Sequence, residues 1–266
     1  MNRKEQLRFL ISELLKIMPQ YSDVEIPEDE NGLFNLFRAL CNVRQPGYVS
    51  DEFIKVQDEM LKSVTEEKGI TEIKDLSPTP FDDRIYLWQG DITTLKCGAI
   101  VNAANSALLG CFVPLHGCID NMIHTMAGVE LRNKCYEIMK AQGHEEETGK
   151  AKITPGYNLP AKYVIHTVGP IVQGNLTKKN EEDLKSCYIS CLDISSEYKI
   201  NSVAFCCIST GVFGYPQKNA AETAVETVKK WLDEHPDSCM KKVIFNVFKD
   251  SDLRIYEKLL VKAGGS

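Results

Sequence analysis

The sequence NAANSALLGCFVPLHGCIDNMIH (102–124) follows the apolar segment Gly98–Asn102, which is typical of a buried strand. Cys111, His116 and Cys118 lie close together in it, spaced C-x4-H-x-C, just before a segment predicted to be helical. Loops between a strand and a helix are where α/β proteins commonly bind ligands. Three such residues in one loop predict a metal site with one coordination position left open for water or substrate. The alternative is a chance cluster in a chain that contains ten cysteines.

The composition is that of a globular protein. The chain has 266 residues, 43% hydrophobic and 26% charged, enough for one large domain or one domain with an appendage. The net charge of −6 argues against non-specific nucleic-acid binding, although backbone N–H groups can still bind a small anion. Charged side chains interrupt the first 18 residues, which therefore predict neither a signal peptide nor a membrane span. The ten cysteines then indicate a reducing, cytoplasmic environment rather than a disulfide framework.

Apolar residues in the first quarter of the chain recur with a helical period. Three amphipathic helices are predicted, at residues 3–18, at residues 33–41 after an Asn-Gly turn, and after the N-cap Ser50. Residues 74–83 contain two prolines and are predicted to be a linker between an N-terminal helical extension (1–80) and a main domain (81–266). The helices carry no cluster of reactive side chains, so we expect them to pack on the main domain. Recognition of a partner is the alternative.

Beyond residue 84, short apolar segments alternate with amphipathic ones. The candidate strands are 84–89, 98–102, 151–153, 162–168, 202–208 and 242–248. The candidate helices are 117–126, 128–141, 180–198, 217–234 and 251–262. Most of these strands lack strict alternation of apolar and polar residues, as expected where helices cover both faces of a sheet. Only some connections are long enough for a parallel crossover, so the predicted fold is a three-layer α/β/α sandwich with a central mixed sheet.

Three further features at predicted strand ends are suited to ligand binding. Asp91 is predicted either to cap the following turn or to accept a hydrogen bond from the exocyclic amine of a purine. Asn102 and Asn105 are predicted either to stabilise a turn or to bind sugar hydroxyls. The loop 208–216 has glycines that let backbone N–H groups approach a pyrophosphate, although it is not a Walker motif. Within it, Phe213 is a candidate to stack on a ribose.

Four of these segments, QGDIT (89–93), VNAANSALLG (101–110), KYVIHTVGP (162–170) and ISTGVFGYP (208–216), occur in this order. Together they resemble the macrodomain family, in particular its MacroD-type hydrolases, over roughly residues 84–262. The resemblance implies an α/β/α fold that binds ADP-ribose. It implies that Asp91 binds the adenine amino group with Ile92 beside it, and that Asn105 binds the distal ribose. The diphosphate would be surrounded by Ser209, Thr210, Gly211, Val212 and Phe213, with Phe213 also against the distal ribose. The opposite wall of the site would be formed by Cys118, Ile119 and Asp120.

The first loop departs from the general family pattern. The glycine run of MacroD-type proteins is replaced by Cys-Phe-Val-Pro-Leu (111–115), and His116 precedes the Gly-Cys-Ile segment where an acidic residue is expected. With this loop the sequence resembles a zinc-dependent subclass of bacterial macrodomains, whose members also carry an N-terminal helical extension. The resemblance implies one Zn²⁺ per chain, bound by Cys111, His116 and Cys118, which with Asn105 form the catalytic group. The zinc would act either on a ribose hydroxyl or on water.

The implied reaction is hydrolysis of the bond between C1″ of the distal ribose and a modified side chain, most readily an Asp or Glu ester. The implied partner is a mono-ADP-ribosylated protein. Within the zinc-dependent subclass, this is a lipoyl carrier resembling the glycine-cleavage H protein and modified by a sirtuin-type ADP-ribosyltransferase. Two alternatives stay open, a non-catalytic ADP-ribose reader and an O-acetyl-ADP-ribose deacetylase. We expect a monomer.

Overall fold

A seven-stranded mixed sheet forms the centre of the protein in a computed structural model that describes residues 1–261. The nine strands of these residues are β1 (Thr71–Glu72), β2 (Pro78–Thr79), β3 (Asp82–Gln89), β4 (Leu95–Lys96), β5 (Ala99–Ala104), β6 (Ala151–Pro155), β7 (Tyr163–Val168), β8 (Ser202–Phe205) and β9 (Lys242–Val247). The order across the sheet is β2-β3-β9-β8-β5-β7-β6. The five central strands are parallel, whereas the edge strands β2 and β6 are antiparallel to their neighbours. The remaining strands, β1 and β4, form a separate parallel pair.

Helices cover both faces of this sheet. The eight α-helices of the described residues are α1 (Arg3–Ile17), α2 (Glu30–Val43), α3 (Asp51–Lys68), α4 (Ile119–Ala127), α5 (Val129–Gln142), α6 (Lys178–Glu197), α7 (Gln217–Glu234) and α8 (Asp250–Leu259). α4 and α5 contact each other and also β5 and β6, whereas α6, α7 and α8 contact one another in series and reach β7, β3 and β9. The predicted three-layer α/β/α sandwich with a central mixed sheet is therefore confirmed.

The central strands are apolar because both of their faces are covered. Five of the six residues of β5 are buried, and so are all four residues of β8. Burial of apolar surface stabilises a fold by about 25 cal/mol per Å². The predicted strand 202–208 nevertheless ends at Phe205, because the chain turns beyond it: Ser209 has a φ of +64°, a left-handed conformation that a strand does not accommodate.

The three N-terminal helices form an additional layer, in which α2 and α3 contact α4. Their buried apolar side chains include Leu7, Leu10, Ile11, Leu14, Leu33, Phe37, Phe53 and Met60. α3 begins after the predicted N-cap Ser50, whose side chain accepts a backbone hydrogen bond. α2 begins at Glu30, earlier than predicted. Asp29 is its N-cap and accepts a hydrogen bond from Gly32 N, so the Asn-Gly pair is part of the first helical turn.

Residues 74–83, which the sequence predicts to be a linker, are attached to the main domain by strand pairing. Within them β2 pairs with β3, and just before them β1 pairs with β4, so this segment is tied to strands of the main domain. The last predicted helix, 251–262, ends at Leu259, while residue 262 and the predicted end of the main domain at 266 lie outside the described residues. No helix within residues 1–261 is both long and apolar enough to cross a lipid bilayer.

Candidate functional site

The carboxyl ends of the parallel strands meet at one edge of the sheet, and chemically distinct groups follow them in a row. In the order across the sheet, Asp91 follows β3, Phe248 follows β9, the loop 206–216 follows β8 and Asn105 follows β5. Neighbouring strands are about 4.8 Å apart, so β3 and β5 are separated by about 14 Å. This edge can therefore accept an elongated ligand that lies across four strand ends.

Asp91 lies at the β3 end of this edge and caps the 3-10 helix Ile92–Thr94, as predicted. Its Oδ1 accepts hydrogen bonds from Thr93 N at 3.0 Å and Thr93 Oγ1 at 2.6 Å, and its Oδ2 accepts one from Lys68 Nζ at 3.0 Å. Burial opposes ionisation of Asp91, but these hydrogen bonds and the lysine charge outweigh it, so the pKa of Asp91 is lowered. The side chain of Ile92 is only 2% exposed, so only its backbone can face a ligand.

The loop after β8 presents backbone N–H groups without partners. Among the described residues, none accepts a hydrogen bond from the N–H groups of residues 211–213. The base of the loop is closed by a 3.0 Å hydrogen bond from Tyr215 N to Ser209 O, and its tip is held by one of 2.8 Å from Val172 N to Phe213 O. A rigid turn with several N–H groups free to donate is suited to an anion such as a phosphate.

Asn105 lies at the end of β5 with its amide held in place. Its Nδ2 donates to Gly110 O at 3.1 Å and lies 3.4 Å from Asp120 Oδ2, and its Oδ1 accepts a hydrogen bond from Ala107 N at 3.1 Å. Asn102 is fully buried instead, and its Nδ2 donates to Asp120 Oδ1 at 2.7 Å. The prediction of two sugar-binding amides is therefore wrong for Asn102, and only Asn105 stays available to a ligand.

The Asp120 carboxylate lies beneath this site and not on its surface, since the residue is 4% exposed. Burial raises the pKa of Asp120 to about 6, while the hydrogen bond from Asn102 and the charge of Arg132 act in the opposite direction. Through its two oxygens the carboxylate links Asn102 to Asn105. Asp120 was predicted to lie on the ligand-binding wall. Because its side chain is buried and supports Asn105, only its backbone at the start of α4 is available for that role.

Cys111, His116 and Cys118 converge beside Asn105, as predicted. Cys111 Sγ lies 3.7 Å from His116 Nδ1, and the three ligand atoms all lie within 4.8 Å of one another. Cys118 is the N-cap of α4 and accepts a hydrogen bond from Asn121 N. Burial raises the pKa of Cys118 to about 11, an effect that this N–H opposes and that Cys111 increases. The three side chains are half-buried, so a metal ion held by them can keep a position open to solvent.

A second group of metal-binding residue types, His124, Cys135 and His166, lies between α4, α5 and β7. Its members are all buried. His166 Nε2 lies 2.9 Å from Thr154 Oγ1, and His166 Nδ1 lies 3.2 Å from Asn102 Nδ2. Burial lowers the pKa of His166 to about 3, so its imidazole is neutral. His166 is therefore held by hydrogen bonds behind the site, whereas within residues 1–261 neither ring nitrogen of the buried His124 has a hydrogen-bond partner, and its Nε2 lies 3.5 Å from Asp120 Oδ1.

Three residues at the site were not predicted from the sequence. Lys68 and Arg38 belong to the N-terminal helices, and they contact Asp91 and the backbone of His116 respectively. Nothing in the sequence near either residue marks these contacts, because the partners are distant along the chain. Phe248 is 75% exposed directly after β9, the strand next to β3, whereas the sequence predicts it as the last residue of the strand 242–248.

Comparison with known sequences identifies close relatives along almost the entire chain. Residues 101–224 match the Macro domain family. A Treponema medium protein named protein-ADP-ribose hydrolase is 51% identical over 262 residues, covering 98% of this chain and 100% of that protein. A Staphylococcus aureus (strain MSSA476) protein of the same name is 49% identical over 258 residues, covering 97% of this chain and 96% of that protein.

Solved structures show the same fold. The Trypanosoma brucei macrodomain in complex with ADP-ribose aligns with a TM-score of 0.64 and 31% identity, covering 83% of this chain and 94% of that one. The Oceanobacillus iheyensis macrodomain with ADP aligns with a TM-score of 0.58 and 39% identity, covering 65% of this chain and 88% of that one. From the strand order, the sequence matches and these structures together, the chain belongs to the macrodomain family.

Proposed function

We propose that this protein is a hydrolase that removes mono-ADP-ribose from modified protein side chains by cleaving the bond to C1″ of the distal ribose. The observation that carries the proposal is the position of the Asn105 amide and the Cys-His-Cys triad at one end of the strand edge that also presents Asp91 and the loop 206–216. An ADP-ribose group laid along this edge has its reactive end beside the triad. The two relatives named protein-ADP-ribose hydrolase, each matched over nearly the whole chain, support the same activity.

We assign the adenine to the β3 end of the edge. The charged Asp91 carboxylate is an acceptor for the exocyclic amine, and the backbone of Ile92 lies beside it. Phe248 offers an exposed ring at the end of the neighbouring strand, on which a base can stack. A base with a carbonyl in place of the amine would meet the negative charge of Asp91, so this residue favours adenine.

We assign the diphosphate to the loop after β8. The free N–H groups of residues 211–213 can donate to phosphate oxygens, which explains how a chain of net charge −6 could bind an anion. Ser209 and Thr210 form the side of this cradle, and the buried Ser209 contributes through its backbone. Phe213 is half-buried at the loop tip and packs against the distal ribose in this arrangement.

We assign the distal ribose to Asn105 and one Zn²⁺ to Cys111, His116 and Cys118. A tetrahedral zinc ion bonded to sulfur at about 2.3 Å and to nitrogen at about 2.1 Å keeps its ligand atoms about 3.6 Å apart. The 3.7 Å between Cys111 Sγ and His116 Nδ1 fits this geometry, and two thiolates with one imidazole are ligands that zinc commonly takes. When bound, zinc would supply a Lewis acid beside the ribose.

The chain's own residues orient the ribose for cleavage. Asn105 is a donor and an acceptor for ribose hydroxyls, and its contacts with Gly110 and Asp120 fix the amide before the substrate arrives. The first turn of α4, with Cys118, Ile119 and Asp120, forms the opposite wall, and in this turn the N–H group of Asn121 donates to Cys118 Sγ. Hydrolysis places the oxygen of water on C1″ and returns the ester oxygen to the protein carboxylate, so water is the only other reactant.

We further propose a cytoplasmic monomer with an N-terminal helical extension (1–80) and a macrodomain (81–266). The ten cysteines are all free thiols, which suits a reducing compartment. The proposed substrate is a mono-ADP-ribosylated lipoyl carrier similar to the glycine-cleavage H protein, modified by a sirtuin-type ADP-ribosyltransferase. Val113 and Leu115 are 57% and 44% exposed on the loop of the triad, where they can contact the surface of such a protein.

The test is release of ADP-ribose from a protein that is mono-ADP-ribosylated on Asp or Glu. We expect release by the zinc-loaded protein, loss of release after chelation and recovery when zinc is restored. Turnover that persists after verified removal of zinc would contradict the role of the metal. Binding of ADP-ribose without any release would favour a reader, and turnover of O-acetyl-ADP-ribose alone would favour a deacetylase. A Cys118→Ala variant with full metal content would show that the ligand set is wrong.

A further inference from the structure

The loop that carries the metal triad is anchored on helix α2 of the N-terminal extension. Arg38 Nη2 donates to His116 O at 2.8 Å, although the two residues are 78 positions apart. The same guanidinium donates to Asn121 Oδ1 from Nε at 3.1 Å and from Nη2 at 2.8 Å. Because a guanidinium is planar and rigid, bonds in two directions fix the position of the His116 backbone relative to α2.

A second residue of α2 holds the neighbouring peptide. Leu115 N donates to Asn42 Oδ1 at 3.0 Å, and Asn42 is itself only 1% exposed. Leu115 has a φ of +56°, a left-handed conformation that a residue with a branched side chain keeps only where contacts enforce it. Asn42 therefore fixes the turn that leads the chain into His116.

Two residues of the macrodomain, Asn121 and Arg132, also connect the triad loop to helix α2. Asn121 Nδ2 donates to Val113 O at 3.0 Å, so the residue that accepts hydrogen bonds from Arg38 also holds the loop that carries the triad. The Arg132 guanidinium lies 4.3 Å from the ring centroid of Phe112. Its Nη1 also donates to three carbonyl oxygens at the end of α2, those of Cys41, Asn42 and Arg44. The end of α2 and the triad loop are thus bound to the same side chains.

We propose that Arg38 and Asn42 are positioning residues for the metal triad, so that helix α2 is a working part of the active site. This inference rests on the metal-binding role proposed above for Cys111, His116 and Cys118. The two α2 side chains hold the backbone on which His116 presents its imidazole to both cysteines. Loss of either contact leaves all three ligands in the chain but removes their common geometry, and metal affinity falls.

The binding of ADP, which lacks the distal ribose and reaches only Asp91 and the loop 206–216, gives a readout that separates this role from general damage to the fold. Asp91 and the loop 206–216 are positioned by β3, β8 and Lys68, and within residues 1–261 they have no hydrogen bond to Arg38 or Asn42. A positioning role for Arg38 therefore predicts weaker zinc binding with nearly unchanged affinity for ADP. A disordered N-terminal extension would lower both, because Lys68 contacts Asp91.

The experiment measures zinc affinity by competition with a chromophoric chelator, and ADP affinity by calorimetry, for the full chain and its variants. We expect Arg38→Met to weaken zinc binding by about 10- to 100-fold, the range seen when groups that orient metal ligands are removed. Arg38→Lys should recover part of this loss, because an ammonium can reach one of the two acceptors. The matched control is Arg3→Met, since Arg3 binds Ser63 and Glu67 within the same helical layer.

Three outcomes would overturn the inference: unchanged zinc affinity in Arg38→Met, equal loss in Arg3→Met, or a parallel loss of ADP affinity. If Arg38→Met does not fold, Arg38→Lys carries the same comparison. A wild-type chain that binds no zinc would overturn the proposed metal role as well. A wild-type chain that binds zinc without releasing ADP-ribose would overturn the proposed hydrolase activity alone, and the role of α2 in metal binding would stand.

Discussion

Lys68 Nζ lies 3.0 Å from Asp91 Oδ2, so the last residue of α3 contacts the acid at one end of the strand edge. At the other end, Arg38 of α2 contacts the loop of the metal triad. The N-terminal helices therefore reach both ends of the site, whereas the sequence predicts packing on the main domain, with recognition of a partner as the alternative. Their removal is expected to affect binding and metal affinity together.

Replacing Lys68 with Met tests the first of these contacts. The change removes a partly exposed ion pair, raises the pKa of Asp91 and frees its carboxylate to rotate. Such pairs contribute about 0.2–1 kcal/mol, so ADP-ribose affinity should fall by roughly 1.4- to fivefold in a calorimetric titration. The control is Lys62→Met on the same helix, where the nearest carboxylate oxygen, of Asp58, is 3.9 Å away. Equal affinity in the Lys68 and Lys62 variants would show that this contact is incidental.

Asp91→Asn is expected to change base selectivity. The wild-type carboxylate only accepts hydrogen bonds, so it should favour ADP-ribose over the hypoxanthine analogue by about 1–3 kcal/mol, or roughly 5- to 160-fold. An asparagine can both accept and donate, and the ratio of the two dissociation constants should approach one. A wild-type protein that binds both ligands equally would place the adenine elsewhere.

The variants Asn105→Ala and Asn105→Asp test two properties of Asn105: the orientation of the ribose by its amide, and the absence of a negative charge next to Asp120. Alanine removes the fixed amide, and the release rate of ADP-ribose should fall by about 100-fold, as when one oriented donor is lost from other active sites. Aspartate brings a second carboxylate to the 3.4 Å contact with Asp120 Oδ2, so this variant should also unfold at a lower temperature. The readouts are single-turnover release and thermal unfolding. A normal release rate in Asn105→Ala would remove this residue from the mechanism.

His166 predicts a pH dependence of stability. Its pKa is lowered by burial to about 3, against about 6.5 in an unfolded chain. Between these values the unfolded chain binds a proton that the folded chain does not, so stability falls as the pH decreases below about 6.5, by up to about 1.4 kcal/mol per unit. The His166→Gln variant should show a shallower slope in urea unfolding between pH 6.5 and 4.5. Parallel slopes would mean that His166 is protonated in the folded state.

The sequence predicts the fold and the strand-end chemistry because both follow from local patterns. Uniformly apolar strands between amphipathic helices indicate a covered sheet, and parallel strands bring Asp91, Asn105 and the loop 206–216 to the same edge. The C-x4-H-x-C spacing brings its three ligands within reach because the loop is short. The prediction fails for Asn102, since alternation along β5 turns its side chain into the core, where it binds Asp120.

The long-range contacts could not be read from the sequence. Arg38 is one of several charged residues on an amphipathic helix, and its partner is a backbone carbonyl that any residue provides. The two-residue strands β1 and β2 were missed because they have no periodicity of their own and depend on their partners. Phe248 was missed for another reason, because the apolar pattern extends the predicted strand to residue 248, whereas β9 ends at Val247 and leaves the ring exposed.

Cleavage at C1″ is tested most directly by the fate of the water oxygen. A protein mono-ADP-ribosylated on one glutamate is incubated with the zinc-loaded enzyme in water enriched in oxygen-18, and both products are analysed by mass spectrometry. We predict that the label appears in the released ADP-ribose and that the regenerated glutamate carries none. Label in the glutamate carboxylate would show attack on the ester carbonyl, and the absence of any release would show a binding module; either result would contradict hydrolysis at C1″.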